Sequence, residues 1–168
     1  AVNFSFTDNH PNSVFLSNCS YHFEAGTTTA VSGNLGAGKS TFLRIITGKL
    51  APQSGQVLID GVEMQQILPD WWKAHYGYLS EDPYFLEETL HAYLGQWGGD
   101  DNSISMALVQ SGLKPLVDHL PRGVNTPLRD RSLTGLKVRK RIGLAGIIAK
   151  QPPLIVLEDA PLRGAMPL

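Results

Sequence analysis

One cysteine, Cys19, stands in a chain of 168 residues. A single thiol excludes an intrachain disulfide framework. Cys19 reads as a small packed residue, in keeping with a reducing compartment. Charge is sparse as well: 17% of residues are charged, with Lys+Arg 14 against Asp+Glu 15 and a net charge of −1. That balance leaves no electrostatic footprint for nucleic acid, and no nucleic-acid partner is expected. No apolar run approaches the roughly 18 residues of a membrane-crossing helix. No secretory leader opens the sequence, and there is no internal repeat or low-complexity stretch. What remains is a chain with 42% hydrophobic residues, long enough for one domain with its own core. It opens at Ala1 without methionine and closes on Arg163-Gly164-Ala165-Met166-Pro167-Leu168, so it reads as a piece of something longer.

Against that background one stretch stands out. Gly33-Asn34-Leu35-Gly36-Ala37-Gly38-Lys39-Ser40-Thr41 fits G-x-x-x-x-G-K-[ST], the phosphate-binding P-loop. Thr27–Ser32 reads as a short buried strand before it, and Phe42, Leu43, Ile45 and Ile46 recur at helical spacing after it. Glycines allow successive N–H groups to turn inward, and with the helix N-terminus they cradle anionic oxygens. Lys39 supplies a fixed positive charge for the β- and γ-phosphates. Ser40 supplies a hydroxyl for Mg²⁺, an ion that keeps mostly water and phosphate ligands.

The elements follow in order. Val2–Phe6 alternates as a strand, Val14–Phe23 reads as a second, and Glu24-Ala25-Gly26 turns the chain toward the P-loop. Gly48 and Pro52 stop the helix. Gln56–Ile59 is a strand closed by the turn Asp60-Gly61. Ser103 is a candidate N-cap for a helix over 104–110, with Gly112 as its stop. Lys137–Ala149 is a long helix. Pro152-Pro153 lead into Leu154-Ile155-Val156-Leu157, the apolar run of a buried parallel strand.

Taken together, these residues resemble the nucleotide-binding domain of ABC transporters. Ser54-Gly55-Gln56-Val57-Leu58-Ile59-Asp60-Gly61 is similar to the family's S-G-x-v-x-i-D-G. Gly77-Tyr78-Leu79-Ser80-Glu81-Asp82-Pro83 resembles the I-G-Y-V-P-Q-D-P of exporter-type members, and Leu120–Thr126 resembles their L-P-x-G-x-x-T. The resemblance covers nearly the whole chain. It implies an α/β fold of the ABC ATPase type: a P-loop NTPase core with a mainly parallel sheet, an N-terminal antiparallel β-layer and a helical subdomain. Residues 1–168 would form one such domain, with 1–80 and 150–168 as core and β-layer and 81–149 as the helical subdomain.

The resemblance also implies roles. ATP and Mg²⁺ are the expected cofactors, held mainly by residues 33 to 41. Phe6 matches the aromatic that stacks on adenine; either it does so or it faces the core, which Phe4 also offers to fill. Glu81 stands where the family has glutamine: it keeps an oxygen for Mg²⁺ and loses the amide donor to the attacking water. Ser40, Glu81 and Glu158 would serve the metal. Glu158-Asp159 exchanges the usual Asp-Glu, so the general base, Asp159, falls short by about 1 Å, a misplacement that can cost ~100-fold in rate. Leu133-Thr134-Gly135 begins the signature that covers the partner subunit's nucleotide, but Leu136 then replaces a glycine. Arg141-Ile142-Gly143-Leu144-Ala145 resembles the downstream R-x-A-L-A with one residue too many between, which leaves the register open by one.

Arg129, Arg131, Lys137, Arg139, Lys140 and Arg141 cluster around this motif, either as a solvated face or as attraction for the partner's phosphates. Trp71, Trp72, Tyr84 and Phe85 either pack between subdomains or form the socket for a membrane-domain helix. The implied partners are a second nucleotide-binding domain and a transmembrane domain, at the cytoplasmic face of a membrane. The family's switch histidine would lie beyond Leu168. These departures predict weak ATPase activity, or a regulatory module that binds ATP without hydrolysing it; a soluble non-transport ABC protein is the remaining alternative.

Overall fold

A computed structural model describes residues 2–7, 14–97 and 100–158, with side chains from Leu16 and from Cys19 onward. The chain divides into two compact units, Ala1–Trp72 and Lys73–Leu168.

In the first unit, β1 (Val2–Thr7) and β2 (Val14–Tyr21) pair antiparallel, with Phe4 opposite Cys19 and Phe6 opposite Leu16. This is the expected β-layer. The second strand stops before Phe23, whose ring meets Tyr21 edge-on at 4.7 Å and lies 6.3 Å from Phe42. The turn that follows is closed by the Thr27 hydroxyl, which donates to the Glu24 carbonyl at 2.7 Å.

The expected buried strand at Thr27–Ser32 is a correction. These residues are exposed and outside any ladder. Small polar side chains give such a segment little burial of its own, and an extended segment becomes a buried strand only when neighbours hydrogen-bond along it. α1 (Lys39–Ile46) behaves as its spacing requires: Phe42, Ile45 and Ile46 are buried and Arg44 is exposed. β3 (Leu58–Ile59) and β4 (Val62–Glu63) form a minimal hairpin around Asp60-Gly61, both at positive φ as a primed turn demands. α2 (Pro69–His75) starts on a proline, and its Trp72 indole donates to the Thr47 carbonyl at 2.9 Å, which locks it beside the end of α1.

The second unit has a parallel strand pair and a helical cluster. β5 (Tyr76–Leu79) and β6 (Leu154–Leu157) run in register, from Tyr76 opposite Leu154 to Leu79 opposite Leu157. α3 (Leu90–Gly95), α4 (Asp101–Gln110), α5 (Lys114–Asp118) and α6 (Leu136–Lys150) enclose Leu90, Leu94, Ile104, Ala107, Leu108, Leu113, Val117, Leu133, Ile142 and Ala145. α4 begins earlier than its sequence suggests. Asp100 is the N-cap, and its carboxylate accepts from both the N–H and the hydroxyl of Ser103. A carboxylate at Ncap outcompetes a serine three positions inside the helix. The L-P-x-G-x-x-T stretch is a short 3-10 turn in which the Thr126 hydroxyl donates to the Gly123 carbonyl, while the Thr126 carbonyl accepts from Leu90 N–H.

α6 lies against β5 through a smaller cluster of Leu79, Leu144 and Ile147. The approach is close because Gly143 has no side chain: a Cβ there would sit 2.5 Å from Leu79 Cδ1.

Candidate nucleotide-binding site

The P-loop shape is built by its glycines. Gly36 and Gly38 take φ +79 and +85, and Gly38 is the residue from which α1 starts. A side chain at either position would be strained whatever the space around it. The Ala37 N–H closes a turn onto the Asn34 carbonyl at 3.2 Å, and Phe42 N–H reaches Gly38 at 2.8 Å. Lys39 then folds back over the loop. Its ammonium donates to the carbonyls of Gly33 and Asn34, each at 2.8 Å. The loop is thereby clamped into a ring with one positive charge at its mouth, at the N-terminal end of a helix whose first turn carries no acidic residue. Ser40 and Thr41 lie in that first turn and are half-buried, and Leu35 at the loop tip is fully exposed.

In the second unit the parallel register places Glu81 and Glu158 beyond the same, carboxyl ends of β5 and β6. The ladder continues one step into the acid, with Glu158 N–H donating to the Leu79 carbonyl at 2.8 Å. Ligand-binding groups in open parallel sheets collect at this end. Glu81 is exposed in the bend after β5. Glu158 is half-buried, and Oε2 accepts from the Tyr78 phenol at 2.8 Å. Asp159 lies outside the described residues. Phe6 has a described backbone position in β1, and its side chain lies outside the description.

The signature-like residues stand at the start of the 15-residue α6. Leu133 is buried and anchors the loop, while Thr134 and Gly135 are exposed. Gly135 is the N-cap residue and its carbonyl accepts from Arg139 N–H at 2.9 Å. Leu136 is the first helical residue and its side chain is 46% exposed. The basic cluster is not one face. Arg129, Arg131, Lys137 and Arg141 are exposed, but Lys140 is buried and Arg139 is only 29% exposed. Arg139 pairs with Asp82 at 2.7 Å and also donates to the Pro83 carbonyl at 3.3 Å. It therefore ties the segment after Glu81 to the signature helix, a role that its position in the sequence does not reveal. The aromatics divide in the same way. Trp72 is buried and Phe85 stacks at a tilt on Tyr93, with centroids 4.6 Å apart; Trp71 and Tyr84 are 50% and 80% exposed.

The donors assigned to Mg²⁺ fit that ion by their chemistry. A hydroxyl and two carboxylates are hard oxygen ligands, and among the described residues no three His, Cys, Asp or Glu side chains gather into a cage. Such a set suits an ion that keeps its waters and takes one or two carboxylates with substrate phosphate. It does not suit a structural zinc site.

A glycine loop clamped by lysine at a helix start defines a P-loop nucleotide-binding domain of the α/β class. The family model described as ABC transporter matches residues 16–162. The chain belongs to that family. The ATP-dependent lipid A-core flippase of Bordetella avium (strain 197N) is 30% identical over 150 residues, 86% of this chain and 25% of the relative. The mycobactin import ATP-binding/permease protein IrtB of Mycolicibacterium thermoresistibile is 31% identical over 163 residues, 95% of this chain and 27% of the relative. The chain thus spans about a quarter of the length of the curated relatives it matches. Among solved structures, a bacterial Atm1-family ABC exporter with ATP bound superposes with a TM-score of 0.85 at 24% identity, covering 97% of this chain and 29% of that one. The fold is that of the ABC ATPase domain.

Proposed function

We propose that the domain holds Mg-ATP as the motor half-site of an exporter-like transporter, and that it binds nucleotide far better than it turns it over. The clamped loop carries this reading. Lys39 exchanges two backbone carbonyls for phosphate oxygens, while the N–H groups of Gly33–Gly38 and the start of α1 receive the remaining charge. Phe6 stacks on the base. Ser40, Glu81 and Glu158 would hold a hydrated Mg²⁺, whose chemistry when bound is to offset negative charge on the β- and γ-phosphates. Asp159 orients the attacking water from a side chain one methylene shorter than glutamate, and Glu81 offers no N–H to assist it. A second nucleotide-binding domain, docked head to tail, receives Leu133, Thr134 and Gly135 against its own nucleotide. The exposed Tyr84 suits contact with a transmembrane domain. Among the described residues no helix is long and apolar enough to cross a membrane. Docked on a transmembrane partner, the domain would act at the cytoplasmic face of the membrane.

A regulatory module that clamps ATP without hydrolysis is the second reading. It is favoured by Leu136, whose exposed branched side chain occupies the glycine position at the start of α6. Titration with a fluorescent ATP analogue alongside phosphate release separates the two. Binding with slow release, both lost on Lys39→Ala, supports the first reading; binding with no release supports the second; no binding refutes both.

A further inference from the structure

With Tyr78 opposite Val156 in a parallel ladder, residues 76 and 78 project from the same face of the strand pair as 154, 156 and 158. Gly77 and Leu79 occupy the other face: Leu79 packs on α6, and a Cβ at Gly77 would meet Ile147 at 2.8 Å. The Tyr78 phenol therefore lies one diagonal from the acid that follows β6, and it spans that diagonal to donate to Glu158 Oε2 at 2.8 Å.

We propose that Tyr78 is a positioning residue: its phenol fixes the Glu158 carboxylate in the orientation needed to face the hydrated metal. This rests on the reading of Glu158 as the metal-side acid. The argument begins from length. Glutamate at this position has one more rotatable bond than the aspartate of the family pattern, so its carboxylate sweeps a larger volume and faces the ion a smaller fraction of the time. A phenol-to-carboxylate hydrogen bond is charge-assisted and roughly twice as strong as a neutral one. Both side chains are half-buried, which limits solvent competition. An ionised carboxylate has about four acceptor sites. The phenol takes one of them, at Oε2, and so orients the group. Outer partners of this kind are what set ligand orientation in metal sites generally.

The test uses the full chain with ATP and Mn²⁺ as a spectroscopic stand-in for Mg²⁺. Tyr78→Phe keeps the ring and removes only the hydroxyl. Expected is a Mn²⁺ half-saturation raised about tenfold, with ATP affinity in EDTA and thermal midpoint both unchanged. In a Glu158→Asp background the shorter carboxylate is out of the phenol's reach, so adding Tyr78→Phe produces no further shift. Glu158→Gln is the reference for the underlying reading. If Glu158→Gln raises the Mn²⁺ requirement and Tyr78→Phe leaves it within about twofold of wild type, the positioning role is overturned alone. If Glu158→Gln also leaves it unchanged, Glu158 is not the metal-side acid and the proposal is overturned with the reading beneath it.

Discussion

Replacing Gly143 with alanine probes the contact that fixes the signature helix on β5. The new Cβ would lie 2.5 Å from Leu79 Cδ1 and 3.7 Å from Pro83 Cβ. Carbon atoms pack best at about 3.5–4.0 Å, so the first contact is short by about 1 Å. Leu79 is buried at 1% exposure and cannot swing into solvent. Overpacking of this kind costs about 1–3 kcal/mol, while alanine in a helix interior returns up to ~1 kcal/mol. With that return, the net expectation for Gly143→Ala is a loss of up to about 2 kcal/mol. Leu79→Val alone leaves a methylene-sized void and costs about 1 kcal/mol. Together the added methyl occupies the space that the removed carbon vacates, so the double variant should match or exceed wild type, with a coupling of about 2 kcal/mol. Urea unfolding of the four proteins, followed by far-UV circular dichroism, measures the cycle. Additivity within about 0.5 kcal/mol would show that the two positions are independent and refute the reasoning.

Other outcomes follow from the same geometry. Trp72→Phe leaves the buried end of α1 without its indole donor and should destabilise the protein by about 1–3 kcal/mol in thermal unfolding. The hydroxyl and N–H of Ser103 hold the Asp100 carboxyl below its ordinary range. The cap on α4 is therefore fully formed above that range and is lost as pH falls through the depressed value. The Ser103 amide shift should follow that titration, and Asp100→Asn should keep the cap and abolish its pH dependence. Restoring the family order with Glu158→Asp and Asp159→Glu should raise phosphate release by at least about tenfold, since the general base regains its reach. An unchanged rate would place the limitation elsewhere.

Local chemistry explains which parts of the molecule were readable in the sequence. The P-loop, the Asp60-Gly61 turn, the spacing of Phe42, Ile45 and Ile46, and the strand after Pro152-Pro153 are each encoded within a few residues. The Thr27–Ser32 segment is not legible in this way, because a strand needs a partner ladder and no six-residue stretch carries its partner. Asp100 and Ser103 are both residue types that cap helices, and backbone geometry decides between them. The Tyr78–Glu158 and Asp82–Arg139 contacts join residues 80 and 57 positions apart. Only strand register and helix docking bring them together, so a charge or a phenol read in isolation gives no hint of its partner.

The central claim is that residues 33 to 41 hold nucleotide by its phosphates through a loop that Lys39 clamps. Calorimetric titration of Mg-ATP into the wild-type chain and into Lys39→Ala tests it most directly. The predicted result is saturable binding by wild type that weakens by at least about tenfold in the variant, as expected when a hydrogen-bonded charge is removed from an anion, with thermal stability little changed. Equal affinity in the two proteins would contradict it.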